Sequence, residues 1–264
     1  MILGLVAALV GTFGYGVGTV LQAAGARRAR GLVVMRDPRY LAGLGCDAVA
    51  WAASLVALQR LPLFTVQALL AGSLCVTVLL ARGFLGATLR VRDGVAIVFV
   101  TAALAVMAAA SGVQASRPPG SWFVPTVVVS LAVVATLTAV LYRASRSVPM
   151  AVLAGVAFSG AALCGRAVQL PGAWYQVLID PVVWCLVGFG VLGAVALSRS
   201  LEGGAVGLVA AVLWVIEVLL PGVVGVLGLG DVIRPGWLLS VGCAVVVALV
   251  GCVVLATSPA QPER

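Results

Sequence analysis

The sequence predicts an all-α integral membrane protein with about nine transmembrane helices, arranged as two inverted four-helix repeats joined by a connector helix. Composition, the spacing of apolar runs and internal similarity together predict this fold. Of the 264 residues, 63% are hydrophobic and 9% are charged. A compact soluble domain could not keep so much apolar surface out of water, so the chain is expected to be embedded in a lipid bilayer.

Nine apolar runs are each close to the ~20 residues that cross the hydrocarbon core as a helix. In chain order they fall at roughly 2–23, 40–59, 62–81, 94–112, 122–142, 149–169, 181–199, 203–226 and 237–257. Helices 1–4 make the first repeat, residues 1–112, and the connector helix 5 lies within residues 113–148. Helices 6–9 make the second repeat, residues 149–258, and residues 259–264 form a tail.

The positive charges of the chain predict its orientation. There is no Lys, His or Asn, so all sixteen positive side chains are Arg. If the nine helices alternate in direction, twelve of these arginines lie in loops on one side and only Arg60, Arg117 and Arg234 on the other. This bias predicts a multi-pass protein of the cytoplasmic membrane with its N-terminus outside and its C-terminus in the cytoplasm. The net charge of +8 is therefore explained by contact with lipid headgroups and by membrane orientation, and no nucleic-acid partner is expected.

Two stretches of the chain resemble each other in a way that predicts an internal repeat. Residues 18–22 (GTVLQ), late in helix 1, match residues 165–169 (GRAVQ), late in helix 6, and ALQRLP at 57–62 is echoed by ALSRSL at 196–201. The two copies are five crossings apart. An odd number of crossings means that the second copy is inserted upside down, and inverted repeats around a midplane site are typical of secondary transporters.

Residues 196–256 resemble the last three helices of the drug/metabolite transporter superfamily, EamA-like group. The matching positions are Ala196-Leu197, Pro221, Gly230-Asp231, Arg234-Pro235 and Gly242. Residues 39–112 resemble the first-half counterpart, but Gly86-Ala87 stands where the family has Gly-Glu. The layout of nine spans is similar to that of the NIPA-type magnesium transporters. The resemblance implies a transporter that moves a small solute or ion by alternating access, with magnesium as one candidate.

The stretch GTFGYGVG at residues 11–18 predicts close helix packing. Gly14 and Gly18 form a GxxxG ridge, with Gly11 one turn earlier. Small residues of this kind let lipid-embedded helices approach closely, so helix 1 is expected inside the bundle. GFGVLG at 188–193 fits the phosphate-binding pattern GxGxxG, but it lies in the middle of a span and is also interpreted as a packing face.

The six cysteines show no CxxC spacing, and there is no His to complete a metal site. They are therefore interpreted as small buried hydrophobic residues. The absence of His also excludes the usual general base and most Zn, haem and copper sites. No nucleophile–base pair is visible either, so an enzyme is not expected and no cofactor is predicted.

Ionisable residues within membrane spans are costly and usually face a cavity or a partner. The chain has three: Asp47, Arg166 and Glu217. Asp47 lies ~10 Å into helix 2 and is either a hydrogen-bonded structural carboxylate or an ion or proton ligand. Glu217 precedes Pro221 by four residues, and the proline leaves the Glu217 carbonyl without its helical partner. This predicts a helix break with two oxygen ligands for a hard cation, or a protonated carboxylate used in proton coupling.

The predicted depths of Arg166 and Glu217 in the membrane differ by only ~5 Å. The two could form a static ion pair or a gate. Alternatively, Arg166 could grip an anionic substrate or extend to the outer surface. The neutral polar residues expected to line the same cavity are Gln22, Thr65, Gln67, Thr77 and Gln169.

These features favour a secondary transporter, and the alternative is a non-transporting partner or scaffold subunit of another membrane protein. For a transporter, the candidate substrates are magnesium or another cation, an anionic solute and a lipid-linked molecule. A homodimer or a partner membrane protein is compatible with the sequence.

Overall fold

In the computed structural model, residues 2–26, 36–85, 90–110, 120–143, 147–168, 179–203 and 206–257 are described. These residues are almost entirely helical, with no β-strand among them. The helices are α1 (Ile2–Ala26), α2 (Pro38–Leu58), α3 (Leu63–Ala71), α4 (Ser73–Leu85), α5 (Val91–Ala110), α6 (Phe123–Tyr142), α7 (Ser147–Ala167), α8 (Pro181–Gly203), α9 (Val206–Gly228) and α10 (Leu238–Ala256).

Eight helices in the described part of the chain are long and apolar enough to cross a membrane, if α3 and α4 are taken together as Leu63–Phe84. The predicted all-helical fold is therefore confirmed, and the eight apolar helices are compatible with a multi-pass membrane protein. The remaining predicted span coincides with α9, in which Val212–Gly228 forms a shorter apolar stretch.

Helices of each predicted half pack mainly on one another. In the first half α1 packs along α2 and against α4, and in the second half α7 packs along α8 and α9. The two halves meet where α3 contacts α9 and where α5 lies along α10. The segment Leu63–Phe84 is the most buried candidate span, at 83% of its window. The third crossing is therefore the centre of the bundle.

The helix predicted as the connector is α6, and it lies at the edge of the molecule. It packs against α7 and α8, but only 17% of its window is buried. Its outward face carries large apolar residues such as Val129 and Val140. A face of this kind is suited to lipid acyl chains.

The glycine ridge of α1 lies against α2. Cβ atoms added at Gly11 and Gly14 would meet the Ala50 carbonyl oxygen and the Ala50 methyl group at 3.4 and 2.9 Å. At Gly18 an added Cβ would collide with the Asp47 carboxylate. The close approach of the two helices thus depends on the missing side chains, as the GxxxG interpretation requires.

The chain remains helical through Pro221, so the predicted helix break is wrong. Proline removes only the bond to one carbonyl, and the flanking turns are held by packing, since Pro221 is buried and Gly222 lies against Phe64 of α3. The interruption falls instead at Gly72, between α3 and α4. There the Thr12 hydroxyl of α1 donates to the Leu69 carbonyl at 2.7 Å, and the Gly72 N–H donates to the same carbonyl at 3.0 Å.

The loop after α9 turns back onto the bundle. Gly230 has a φ of +69°, in the left-handed region that glycine adopts at little cost. The following residue, Asp231, then donates its N–H to the Gly225 carbonyl at 2.9 Å. This turn directs the Asp231 side chain into the protein, where it is buried.

Candidate functional site

A cavity of about 310 Å³ lies near the middle of the helices and is lined by both halves of the protein. Its polar lining consists of Tyr15, Thr19, Asp47, Ser54, Gln67, Ser73 and Glu217, and its aromatic lining also includes Trp51, Phe158 and Trp214. Three residues predicted from the sequence as pathway residues, Asp47, Gln67 and Glu217, therefore share one cavity.

Asp47 is positioned by α1. The Gln22 side-chain amide donates a hydrogen bond to Asp47 Oδ2 at 2.5 Å, so Gln22 acts on the cavity through Asp47. The opposite side of the carboxylate lies against Gly18, where there is no side chain to displace it. One face of α1 thus provides both the room and a hydrogen-bond donor for this acid.

Glu217 presents its carboxylate to the cavity from α9, one turn before Pro221. Among the described residues, none forms a hydrogen bond or an ion pair with that carboxylate. A carboxylate in this position normally has a partner, because an isolated charge within the membrane is costly. Glu217 is thus an acidic side chain of the cavity lining that lies within a long apolar helix.

Aromatic residues connect the two acids. The Tyr15 phenol interacts with the Ser54 side chain and lies within electrostatic range of both Asp47 and Glu217. Trp214 precedes Glu217 by one turn on α9 and lines the same cavity. The acids thus share a cavity in which most lining residues are apolar or aromatic.

Arg166 lies outside the cavity lining and pairs with a different acid. Its Nη2 atom is 3.4 Å from Asp231 Oδ1, and the two side chains are 9% and 0% exposed. Of the alternatives considered for Arg166, the ion pair with Glu217 is not the one that forms, because Arg166 pairs with Asp231. Similar depth along two helices does not bring side chains together, and the turn at Gly230 brings a closer carboxylate to Arg166.

Asp231 makes a second contact that joins the two halves. Its Oδ2 atom accepts a hydrogen bond from the Leu63 N–H at 2.6 Å, at the first residue of α3. A carboxylate at a helix N-terminus satisfies a free N–H and interacts favourably with the helix dipole. Burial raises the pKa of Asp231 above its usual value, while the Leu63 N–H and Arg166 act in the opposite direction. We call the contacts of Asp231 with Arg166 and Leu63 the Asp231 tie.

The remaining predicted polar residues are placed as follows. Thr65 and Thr77 are buried on α3 and α4 and do not belong to the cavity lining, and Gln169 lies outside the described residues. The sequence interpretation missed Tyr15 and Trp214 as cavity residues. The signal that could have found Trp214 is its spacing of three residues before Glu217, which places both on one face of a helix.

The cysteines are free thiols, and Cys75, Cys164, Cys185 and Cys252 are buried in the helix bundle. Within the described residues, no group of three or more His, Cys, Asp or Glu side chains is placed to hold a metal ion. The GFGVLG segment packs on its neighbours, since Gly188 lies against Leu131 and Gly193 against Phe158.

No protein-family model matches this chain, and searches of curated proteins and of solved structures also return no match.

Proposed function

We propose that this protein is a secondary transporter of the drug/metabolite type, which moves a small solute or ion across the membrane by alternating access. The observation that carries the proposal is the cavity at mid-length of the bundle, to which one half contributes Asp47 and the other half Glu217. Midplane sites between two halves are typical of secondary transporters. Residues 196–256 add the family resemblance.

The arrangement of helices supports two inverted repeats of four crossings each. In the first half, α1 packs on α2 and on α4, which belongs to the third crossing. In the second half, α7 packs on α8 and α9 in the corresponding way. The contacts between the halves, α3 with α9 and α5 with α10, join helices that correspond to each other in the repeat. These pairings are expected around a pseudo-two-fold axis, with α9 as the eighth crossing and α10 as the ninth.

The arginine bias places the N-terminus outside the cytoplasmic membrane and the C-terminus inside. In this orientation the Asp231 tie lies at the outer end of the bundle, where α7 ends and α3 begins. The tie holds the two halves together at that end. Among the described residues, α1 and α2 have no extended packing against α8 or α9. The cavity lining extends to Leu197, near the end of α8 that this orientation puts on the cytoplasmic side. We therefore propose the cytoplasmic end as the route into the cavity.

Transport is tested with purified protein in proteoliposomes on a solid-supported electrode. The panel of candidate solutes contains Mg²⁺, small amines, small carboxylates and sugar phosphates. We expect a saturable current or a counterflow signal with at least one solute. The signal should be lost in Glu217→Gln and strongly reduced in Asp47→Asn.

The control variant is Asp37→Asn, which changes a carboxylate at the N-cap of α2, far from the cavity, and keeps a residue that caps equally well. Its signal should equal that of the wild type. If the folded wild-type protein gives no signal with any solute and purifies with a second membrane protein, the scaffold alternative replaces transport.

A further inference from the structure

The cavity carries only negative formal charge among the lining residues that the structure describes. Asp47 and Glu217 are acidic, and no Arg belongs to the lining. Arg166, considered from the sequence as a partner for Glu217, is paired with Asp231 outside the cavity lining. In a medium of low dielectric constant two carboxylates of this kind favour a positively charged ligand and disfavour an anion.

The remaining lining does not suit a hard metal ion. Mg²⁺ requires near-octahedral oxygen coordination and gives up its water reluctantly, whereas most of this lining is apolar or aromatic. One oxygen of Asp47 is already bonded by Gln22. In the described part of the chain, no cluster of three acidic or other metal-ligating side chains is present to complete a coordination shell.

The same lining suits a cation that carries apolar groups. The lining includes four aromatic side chains, Tyr15, Trp51, Phe158 and Trp214, in the same cavity as the two acids. The faces of such rings attract ammonium ions, most strongly in the case of Trp and in places that exclude water. The volume of about 310 Å³ is at the lower limit of ordinary ligand pockets and fits a small organic molecule.

We propose that the cavity binds a small organic ammonium ion, whose charge lies against Glu217 and whose alkyl or aryl groups lie against Trp214 and Phe158. This inference rests on the proposed function, because it names the class of solute that the transporter would carry. Asp47 contributes to the negative potential and, through its bond to Gln22, stays fixed on the α1 side of the cavity.

Binding is tested by calorimetry on the full chain in lipid nanodiscs with three probes. The first is choline, a quaternary ammonium ion. The second is 3,3-dimethylbutan-1-ol, which has the same shape but no charge, and the third is Mg²⁺. We expect choline to bind at least tenfold more tightly than the neutral alcohol, and Mg²⁺ not to compete with it at equal concentration.

Two matched pairs of variants separate charge from packing. Glu217→Gln should lower the affinity for choline to that for the neutral alcohol. Asp37→Asn should leave the difference between these two affinities unchanged. Trp214→Leu should weaken choline about fivefold, as expected for the loss of a cation–π contact of ~1 kcal/mol. Trp184→Leu changes a Trp that is 60% exposed on the outer surface of α8 and should have no effect on choline affinity.

Equal affinities for choline and the neutral alcohol, or competition by Mg²⁺ that Glu217→Gln removes, would overturn the inference. The result also distinguishes it from the proposed function. Binding of choline without flux of any amine refutes transport and leaves the site as inferred. Flux of a carboxylate or sugar phosphate that depends on Glu217 supports transport and refutes the ammonium site.

Discussion

At the scale of single residues, Gly18 controls the position of Asp47. A methyl group at this position would collide with the carboxylate that Gln22 binds from the other side. We expect Gly18→Ala to displace Asp47, to weaken ligand binding several-fold and to lower the free energy of unfolding by about 1–3 kcal/mol through overpacking. Calorimetry and denaturation in mixed micelles would measure both effects.

The matched control is Gly45→Ala on α2, where no atom lies within 4 Å of an added Cβ. This change should leave ligand binding unchanged. Its unfolding free energy should stay the same or rise by up to about 1 kcal/mol, since Ala is a better helix former than Gly. Equal behaviour of the two alanine variants would contradict the role of Gly18.

The second prediction at this scale concerns the Asp231 tie. Asp231→Leu leaves the buried Arg166 without its acid and the Leu63 N–H without its acceptor, so we expect a loss of about 3 kcal/mol in unfolding free energy. The double variant with Arg166→Leu should recover a substantial part of this loss, because no buried charge is left unpaired. Additive losses in the double variant would show that the pair does not act as a unit.

The sequence was sufficient to select Asp47 and Glu217, because ionisable residues in apolar spans are rare and usually line cavities. It was not sufficient to identify the partner of Arg166. Depth along a helix follows from residue counting, but the direction in which a side chain points depends on how the helices pack. Asp231 was visible only as part of a family pattern, since its burial depends on the turn at Gly230.

At the scale of helices, the apolar runs predicted where crossings occur, whereas the irregular positions within them were less predictable. Pro221 is absorbed into a continuous α9, and the third crossing is interrupted at Gly72 instead. This interruption involves the hydroxyl of Thr12 on another helix, a contact between residues 57 positions apart in the chain. Local sequence patterns carry no information about such a contact.

Pro221→Ala tests whether the freed carbonyl of Glu217 contributes to the site. An alanine N–H at position 221 can bond that carbonyl and close the helical pattern. We expect α9 to become straighter and transport or ligand binding to weaken, with the protein still folded. Pro125→Ala, in the first turn of α6 and outside the cavity lining, is the control and should behave as the wild type. Wild-type kinetics in Pro221→Ala would exclude a role for the carbonyl.

At the scale of the whole molecule, the distribution of arginines predicts the orientation in the membrane. We expect a fluorescent protein fused after residue 264 to fluoresce in a bacterial host, and alkaline phosphatase fused after Arg234 to be active. With the reporters exchanged, the fluorescent protein fused after Arg234 should not fluoresce, and alkaline phosphatase fused after residue 264 should be inactive. Phosphatase activity at the C-terminus would place the tail outside and contradict the predicted topology.

The pairing of the two halves was predictable only in outline. Short matches such as those at residues 18–22 and 165–169 suggested a repeat, and the packing of the helices is compatible with it. The cavity itself could not be drawn from the sequence, because its shape depends on which faces of seven different helices converge.

The double contact of Asp231 has a kinetic consequence. Any rearrangement that separates α3 from α7 at this end must break either the ion pair with Arg166 or the hydrogen bond with Leu63, because Asp231 links the two helices through both. The weaker of the two contacts therefore sets the contribution of Asp231 to the activation barrier for that opening. If the protein is the transporter proposed above, a variant that weakens this contact should exchange solute faster at that end and leak more in the absence of a gradient.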